Sequence, residues 1–212
     1  NAVYAFFGGN CESLGASKPM AVLKLNGQTL VMPKATAGMG YVKTAKTGEK
    51  MKTLSIEKQT DGTSWGAVYA QFVQPTADVA DAAEGMSVVR EVLKNGKRIA
   101  TDGETLAVGD RITVRIVINA DRDYDFVQLA DRRAACLEPL GQLSGYRGDC
   151  YCEPKDNATN YYFDRLSKGK HVVETEYYVD RAGTYQTGTC TVQCAYSPEF
   201  GARTKAVALS VE

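Results

Sequence analysis

Residues 121–139, DRDYDFVQLADRRAACLEP, concentrate the side chains most able to do chemistry: Asp121, Asp123 and Asp125 at alternate positions, then Arg132, Arg133 and Cys136. The D-x-D-x-D spacing is how a helix-loop-helix calcium site begins. That site needs Gly at its sixth position for a sharp turn and a bidentate Glu at its twelfth; here these are Phe126 and Arg132. A cation cannot be ligated by arginine, so the calcium loop is excluded, and Arg122, Arg132 and Arg133 are expected to pair with the carboxylates. Cys136-Leu-Glu-Pro139 is one residue away from C-x-E-Q, the internal-thioester sequence. The sulfur must displace nitrogen from a Gln carboxamide, and Pro139 has no such group. Cys11, followed by Glu-Ser-Leu, lacks the pattern as well.

Hydrolytic chemistry meets the same obstacle. His171 is the single histidine, and neither a G-x-S-x-G elbow nor H-E-x-x-H accompanies it. Without a nucleophile and base together, no catalytic, metal or cofactor-binding residue is assigned, and the chain is read as non-enzymatic.

Five of the six cysteines fall between Cys136 and Cys194, as Cys136, Cys150-Tyr-Cys152 and Cys190-Thr-Val-Gln-Cys194. Zinc knuckles favour C-x₂₋₄-C on both arms, and C-x-C is too tight for that pattern. Disulfides are the preferred reading, which implies an oxidising compartment. The favoured bridges are Cys136–Cys194 and one of Cys150 or Cys152 with Cys190; six cysteines allow 15 pairings, so the connectivity stays open, as does the role of Cys11. Arg147-Gly-Asp149 and Asn157-Ala-Thr159 read as turns.

The elements that position these residues are written in the alternation. In Arg111–Ile118, Ile112, Val114, Ile116 and Ile118 share one face, the signature of a sandwich strand. Similar alternation runs through 54–57, 65–72, 171–179 and 206–211. Asn26-Gly27 and Asn95-Gly96 each sit between alternating segments and predict two-residue hairpins, because both positions accept positive φ. Helix is scarce: Asn1–Phe7 is expected to be the closing turns of one, and Thr76–Glu84 a short helix or polar linker. The fold class is therefore all-β, two β-sandwich-like units of immunoglobulin-like architecture with little helix, divided as 1–75, a linker 76–85, and 86–212.

Composition agrees with a soluble globular core, at 44 % hydrophobic and 24 % charged residues over 212 positions. Residues 1–60 hold eight Lys and three Glu, a positive surplus that the remainder balances, as expected for two units of different character. These lysines are dispersed and no Arg precedes Arg90, which argues against a nucleic-acid surface. No run approaches a membrane helix and the start lacks a signal peptide's basic region; beginning without Met, the chain is expected to be a piece of a longer one. Twelve Tyr against one Trp suit half-buried strands. The alternative use of that tyrosine is a cell-surface adhesion or glycan-binding face built from Tyr124, Tyr146, Tyr151 or Tyr161.

Taken in order, Val108-Gly-Asp-Arg-Ile-Thr-Val-Arg, Asp121-Arg-Asp-Tyr-Asp-Phe-Val, Leu137-Glu-Pro, Tyr162-Phe-Asp-Arg-Leu, Arg181-Ala-Gly-Thr-Tyr and Tyr196-Ser-Pro-Glu199 resemble the C-terminal end of a bacterial α2-macroglobulin family protein. The resemblance implies that residues 86–212 form the final macroglobulin-like sandwich, that 13–74 are strands following a helical thioester-type domain, and that Asn1–Phe7 is that domain's tail. It further implies that Val127 and Leu129 pack inward, that Asp121, Asp123 and Asp125 satisfy Arg and backbone donors, and that Cys136 is a disulfide partner. The function implied is that of a structural and interaction module in a protease inhibitor, a trap that rearranges after bait cleavage. Its partners would be other domains of the same chain and, through the full-length protein, target proteases, in the periplasm or at the cell surface, with a membrane anchor in a preceding segment as one option. Tyr196, Ser197, Pro198, Glu199 and Phe200 are implied as an inter-domain contact loop, an exposed Tyr and Phe stiffened by proline.

Overall fold

The computed structural model describes residues 2–9, 21–31, 41–47, 51–59, 61, 64–100 and 104–212, which divide into two compact units, Asn1–Val73 and Gln74–Glu212. Cys11 lies outside the described residues. No helix among them is long and apolar enough to cross a membrane.

The first unit contains β1 (Ala2–Gly9), β2 (Ala21–Leu25), β3 (Gln28–Thr29), β4 (Tyr41–Thr47), β5 (Leu54–Lys58) and β6 (Ser64–Gln71), in sheets ordered β4-β1-β6 and β3-β2-β5. The expected helical turns at Asn1–Phe7 are instead strand β1, antiparallel to β4 and β6. Its Val, Tyr and Phe residues favour a pleated backbone, and paired neighbours on both sides supply the hydrogen bonds that a short isolated helix could not sustain. Asn26 and Gly27 take φ of 51° and 82°, forming the expected turn between β2 and β3. The Asn26 side-chain oxygen accepts from the backbone N–H of Lys52 at 2.8 Å, tying the turn to the approach of β5. Leu23, Leu25 and Leu30 are buried beneath it.

The second unit continues with β7 (Ala82–Glu84), β8 (Met86–Lys94), β9 (Lys97–Arg98), β10 (Thr105–Leu106), β11 (Arg111–Ala120), β12 (Tyr124–Arg132), β13 (Leu137–Pro139) and β14 (Gly145–Arg147). It ends with β15 (Cys150–Pro154), β16 (Ala158–Leu166), β17 (Gly169–Val179), β18 (Gly183–Gln186), β19 (Cys190–Cys194), β20 (Gly201–Thr204) and β21 (Ala208–Val211). Within 76–85, Thr76–Asp78 is a single 3₁₀ turn and β7 pairs with β20.

Two sheets, ordered β13-β17-β11-β8-β9 and β14-β15-β16-β12-β19-β20-β7, enclose the main core; a third, β10-β21-β18, completes the unit. The alternation in β11 buries Ile112, Val114, Ile116 and Ile118, and β12 contributes Val127 and Leu129. The facing sheets are also joined by hydroxyl pairs, Thr159 with Tyr177 at 2.9 Å and Tyr161 with Thr175. These satisfy polar atoms that would otherwise cost free energy on burial. Asn95 and Gly96 form the second expected hairpin turn, with φ of 52° and 73°.

The cysteine reading requires correction. Cys136, Cys150, Cys152, Cys190 and Cys194 are buried free thiols. β15 and β19 are three positions apart in their sheet, about 14 Å at the usual strand spacing, beyond the roughly 7 Å that a disulfide tolerates between Cα atoms. Neither Cys150 nor Cys152 therefore reaches Cys190. Cys136 and Cys194 are likewise both free, so the Cys136–Cys194 bridge is not made either. The Cys150 thiol sits 3.4 Å from the Arg147 carbonyl oxygen, and burial pushes it up to about 11, which keeps it protonated and unreactive at neutral pH.

Candidate interaction site

The loop after β19 takes its shape from the strand that precedes it. Cys194 is buried and its N–H donates to the Phe200 carbonyl at 3.1 Å, while the Phe200 N–H donates to Ser197 at 3.0 Å. Gln193 Nε2 reaches the Pro198 carbonyl at 2.9 Å. These bonds close residues 195–200 into a braced turn on which Tyr196 is 82 % exposed.

Tyr196 does not stand alone. Its ring meets that of Phe126 edge-on, centroids 5.4 Å apart at 90°, and the Ala195 N–H donates to the Phe126 carbonyl at 2.8 Å. Phe126 has φ of +54° near the start of β12, an uncommon conformation for a bulky residue that costs on the order of 1–3 kcal/mol. The local register explains what this achieves. Tyr124 and Val127 are both buried, which strict alternation forbids, and the left-handed residue between them turns the strand so that both face inward. Phe126 is thereby left outside, under Tyr196.

Phe200 departs from the expected exposed position: it is half-buried and packs against the core. Its ring lies 5.6 Å from that of Tyr124, with the Arg122 guanidinium 5.4 Å from its centroid. Gly85 makes room for this packing. Its φ is +70°, and a Cβ there would collide with the Tyr124 hydroxyl and touch Phe200 at 3.0 Å. Phe200 thus fastens the loop from beneath while Tyr196 faces out.

The aspartates next to this loop are structural. Tyr124 donates its hydroxyl to Asp121 Oδ1 at 2.6 Å, and Arg122 pairs with the same carboxylate at 3.0 Å. Asp123 accepts from Arg165 at 2.5 Å and from the Lys168 N–H at 2.8 Å. Hydrogen bonds from Arg122 and Tyr124 hold the Asp121 carboxyl below its ordinary value, and the Lys168 N–H with Arg165 does the same for Asp123. Of the three arginines expected to serve these carboxylates, only Arg122 does so. Arg133 donates to the carbonyls of Leu137, Lys155 and Asp156.

Sequence reasoning missed an enclosed cluster built on a buried ion pair. Arg90 on β8 donates to Asp131 Oδ1 at 2.9 Å, Thr187 Oγ1 at 2.7 Å, and the carbonyls of Arg132, Gly188 and Lys205 at 3.2, 3.0 and 3.2 Å. Its side chain is 4 % exposed and that of Asp131 3 %. Burial pushes the Asp131 carboxyl up, and the adjacent guanidinium opposes the rise. No local pattern marks this cluster, since its members are 41 to 115 residues from Arg90.

His171 donates Nε2–H to the Ser167 carbonyl at 2.7 Å, with Asp149 3.5 Å from Nδ1, linking two turns. Of the tyrosines proposed as an adhesive face, Tyr124 and Tyr161 are core residues, at 6 % and 2 % exposure, whereas Tyr146 is exposed and Tyr151 half-buried. Burying Tyr124 and Tyr161 supplies the apolar area that their strands need for packing.

With this geometry in hand, the family model described as Bacterial Alpha-2-macroglobulin MG10 domain matches residues 85–199, more than half of the chain. No curated protein matches it. Among solved structures, a mutant of Salmonella alpha-2-macroglobulin is similar with TM-score 0.59 and 18 % identity, over 90 % of this chain and 13 % of that one. Native alpha-2-macroglobulin from Escherichia coli, spanning domain MG7 to the C-terminus, gives 0.57 and 17 % over 90 % of this chain and 32 % of that one. Escherichia coli alpha-2-macroglobulin activated by porcine elastase gives 0.57 and 18 %, over 91 % and 18 % respectively. The chain therefore spans a third or less of the length of these structures, and at such identity the likeness is one of fold.

Proposed function

Because the chain belongs to the bacterial alpha-2-macroglobulin family, we propose that it serves as a non-enzymatic structural and interaction module of a protease trap, repositioned when a bait segment elsewhere in the full-length protein is cut. The observation that carries this reading is Tyr196, a fully presented aromatic ring on a loop held by three hydrogen bonds and by Phe126. Binding energy concentrates on such rigidly supported aromatic residues. In the uncleaved protein Tyr196 covers apolar surface on another domain of the same chain; Ser197, Pro198 and Glu199 shape the turn, and Phe200 anchors it. Cleavage shifts the balance between two packings, and this contact is given up.

The body 86–212 acts as the final macroglobulin-like sandwich, 1–75 as the strand-rich unit before it, and 76–85 as the connection. Target proteases engage the full-length protein, which works outside the cytoplasm, in the periplasm or at the cell surface. The test is Tyr196→Ala in the full-length protein. Loss of the contact is expected to convert uncleaved molecules to the mobility of cleaved ones in native electrophoresis before any protease is added. Unchanged mobility together with unchanged protease capture would remove the loop from the mechanism.

A further inference from the structure

The outer face of the seven-stranded sheet carries a transverse row of side chains, of which only Gln193 also serves the inter-domain loop. Tyr146 is opposite Tyr151, Tyr151 opposite Tyr162, Tyr162 opposite Gln128, and Gln128 opposite Gln193. Five neighbouring strands thus present three tyrosines and two glutamines in one line, about 19 Å long at the usual strand spacing. Tyr146 is 76 % exposed and Tyr162 37 %; both glutamines are exposed and Tyr151 is half-buried.

The rings are held in place. Tyr162 donates its hydroxyl to Glu153 Oε2 at 3.0 Å, which lays it along the sheet. Tyr146 and Tyr151 meet at 78° with centroids 5.3 Å apart, one ring serving as floor and the other as wall. At the other end of the row, Gln128 and Gln193 line a groove of about 450 Å³ bounded by Ala130, Arg132, Thr191 and Pro198, a size suited to a small ligand or one residue of a polymer. Gln193 uses Nε2 to hold Pro198, leaving its carbonyl oxygen as acceptor. Gln128 makes no side-chain hydrogen bond among the described residues.

None of these five residues is charged, and the charges at their border, Glu153 beside Tyr162 and Arg132 in the groove, are of opposite sign. A matching ligand is uncharged, extended, and offers apolar ring faces together with amide-type donors and acceptors. Sugar rings satisfy the first need, because their polarised C–H faces are attracted to the negative face of an aromatic ring. An acetamido group satisfies the second, since a primary amide such as that of Gln128 can donate to its oxygen and accept from its N–H. We propose that this face binds an uncharged acetamido-sugar polymer, with sugar rings on Tyr146, Tyr151 and Tyr162 and acetamido groups at Gln128 and Gln193. This does not rest on the trap reading.

The test is titration of the whole chain with a β-1,4-linked hexamer of N-acetylglucosamine and, in parallel, the corresponding glucose hexamer, followed by tyrosine fluorescence and calorimetry. Saturable binding of the acetamido hexamer is expected, with Tyr146→Ala and Tyr162→Ala each weakening it roughly tenfold. Gln128→Ala should weaken binding of that hexamer and leave any glucose-hexamer binding unchanged. Circular dichroism checks that each variant is folded; Tyr146 contributes little to the core, so at least that variant remains interpretable. Absence of binding at millimolar ligand, or binding indifferent to Tyr146→Ala and Tyr162→Ala, would overturn the site. Equal binding of the two hexamers would overturn the acetamido assignment.

Discussion

The two ends of β12 handle the same residue type in opposite ways. Asp121 and Asp123, at the approach to the strand, pair with Arg122 and Arg165 in solvent, whereas Asp131, near its C-terminal end, is enclosed with Arg90. Exposed pairs of this kind exchange water contacts for ionic ones at little net gain. The enclosed pair has lost its hydration, so each charge depends on the other and on the remaining hydrogen bonds around Arg90. What separates the two is register: counting inward from Val127 and Leu129 by twos lands on Asp131, and the turn at Phe126 releases the earlier aspartates to the surface.

The largest test of this contrast is Asp131→Ala, which strands the Arg90 guanidinium in the core. It should cost about 3–5 kcal/mol in urea denaturation, while Arg90→Met with Asp131→Leu should recover most of that loss. Little destabilisation by the single change would show that water reaches this end of the strand as well.

An alkaline titration gives a smaller effect. Burial, reinforced by the nearby Asp131 charge, pushes Tyr177 up to about 12, and burial with the Asp121 hydrogen bond does the same for Tyr124. The unfolded phenols lose their protons near pH 10. A folded value above the unfolded one confers stability that is complete below about pH 10 and is lost between there and about pH 12. The melting temperature should therefore fall across that interval, and Tyr177→Phe should blunt the fall.

The smallest effect belongs to the exposed end. Asp121→Asn and Asp123→Asn should leave the denaturation midpoint at neutral pH unchanged within error. Both carboxyls are held below their ordinary value, so what they contribute is present above about pH 4 and disappears as pH falls through the lowered folded value. An acid titration of the Asp121→Asn variant should be slightly flatter than that of the parent. A large shift at neutral pH would place this end in the same class as the other.

Much of the architecture could be read before any coordinates. Ile112, Val114, Ile116 and Ile118 announce β11 by period alone, and Asn26-Gly27 and Asn95-Gly96 mark their turns because few other pairs accept that backbone. Asn1–Phe7 was less readable, since its strand state depends on partners at 41–47 and 64–71, far along the chain. The cysteine pairings failed for a related reason: spacing in sequence says nothing of strand order, and β16 and β12 lie between β15 and β19. Tyr196 was legible as part of a proline-containing loop. Phe126 was signalled only by Tyr124 and Val127, two apolar residues three apart, which cannot both turn inward from a regular strand.

The two principal sheets end in very short borders: β7 and β14 on one, β9 and β13 on the other, each of two or three residues, with Pro139 closing β13. A border this brief offers few vacant N–H and C=O groups to a passing strand, and proline offers no N–H at all. Crowded copies of a body so trimmed have little purchase from which to polymerise.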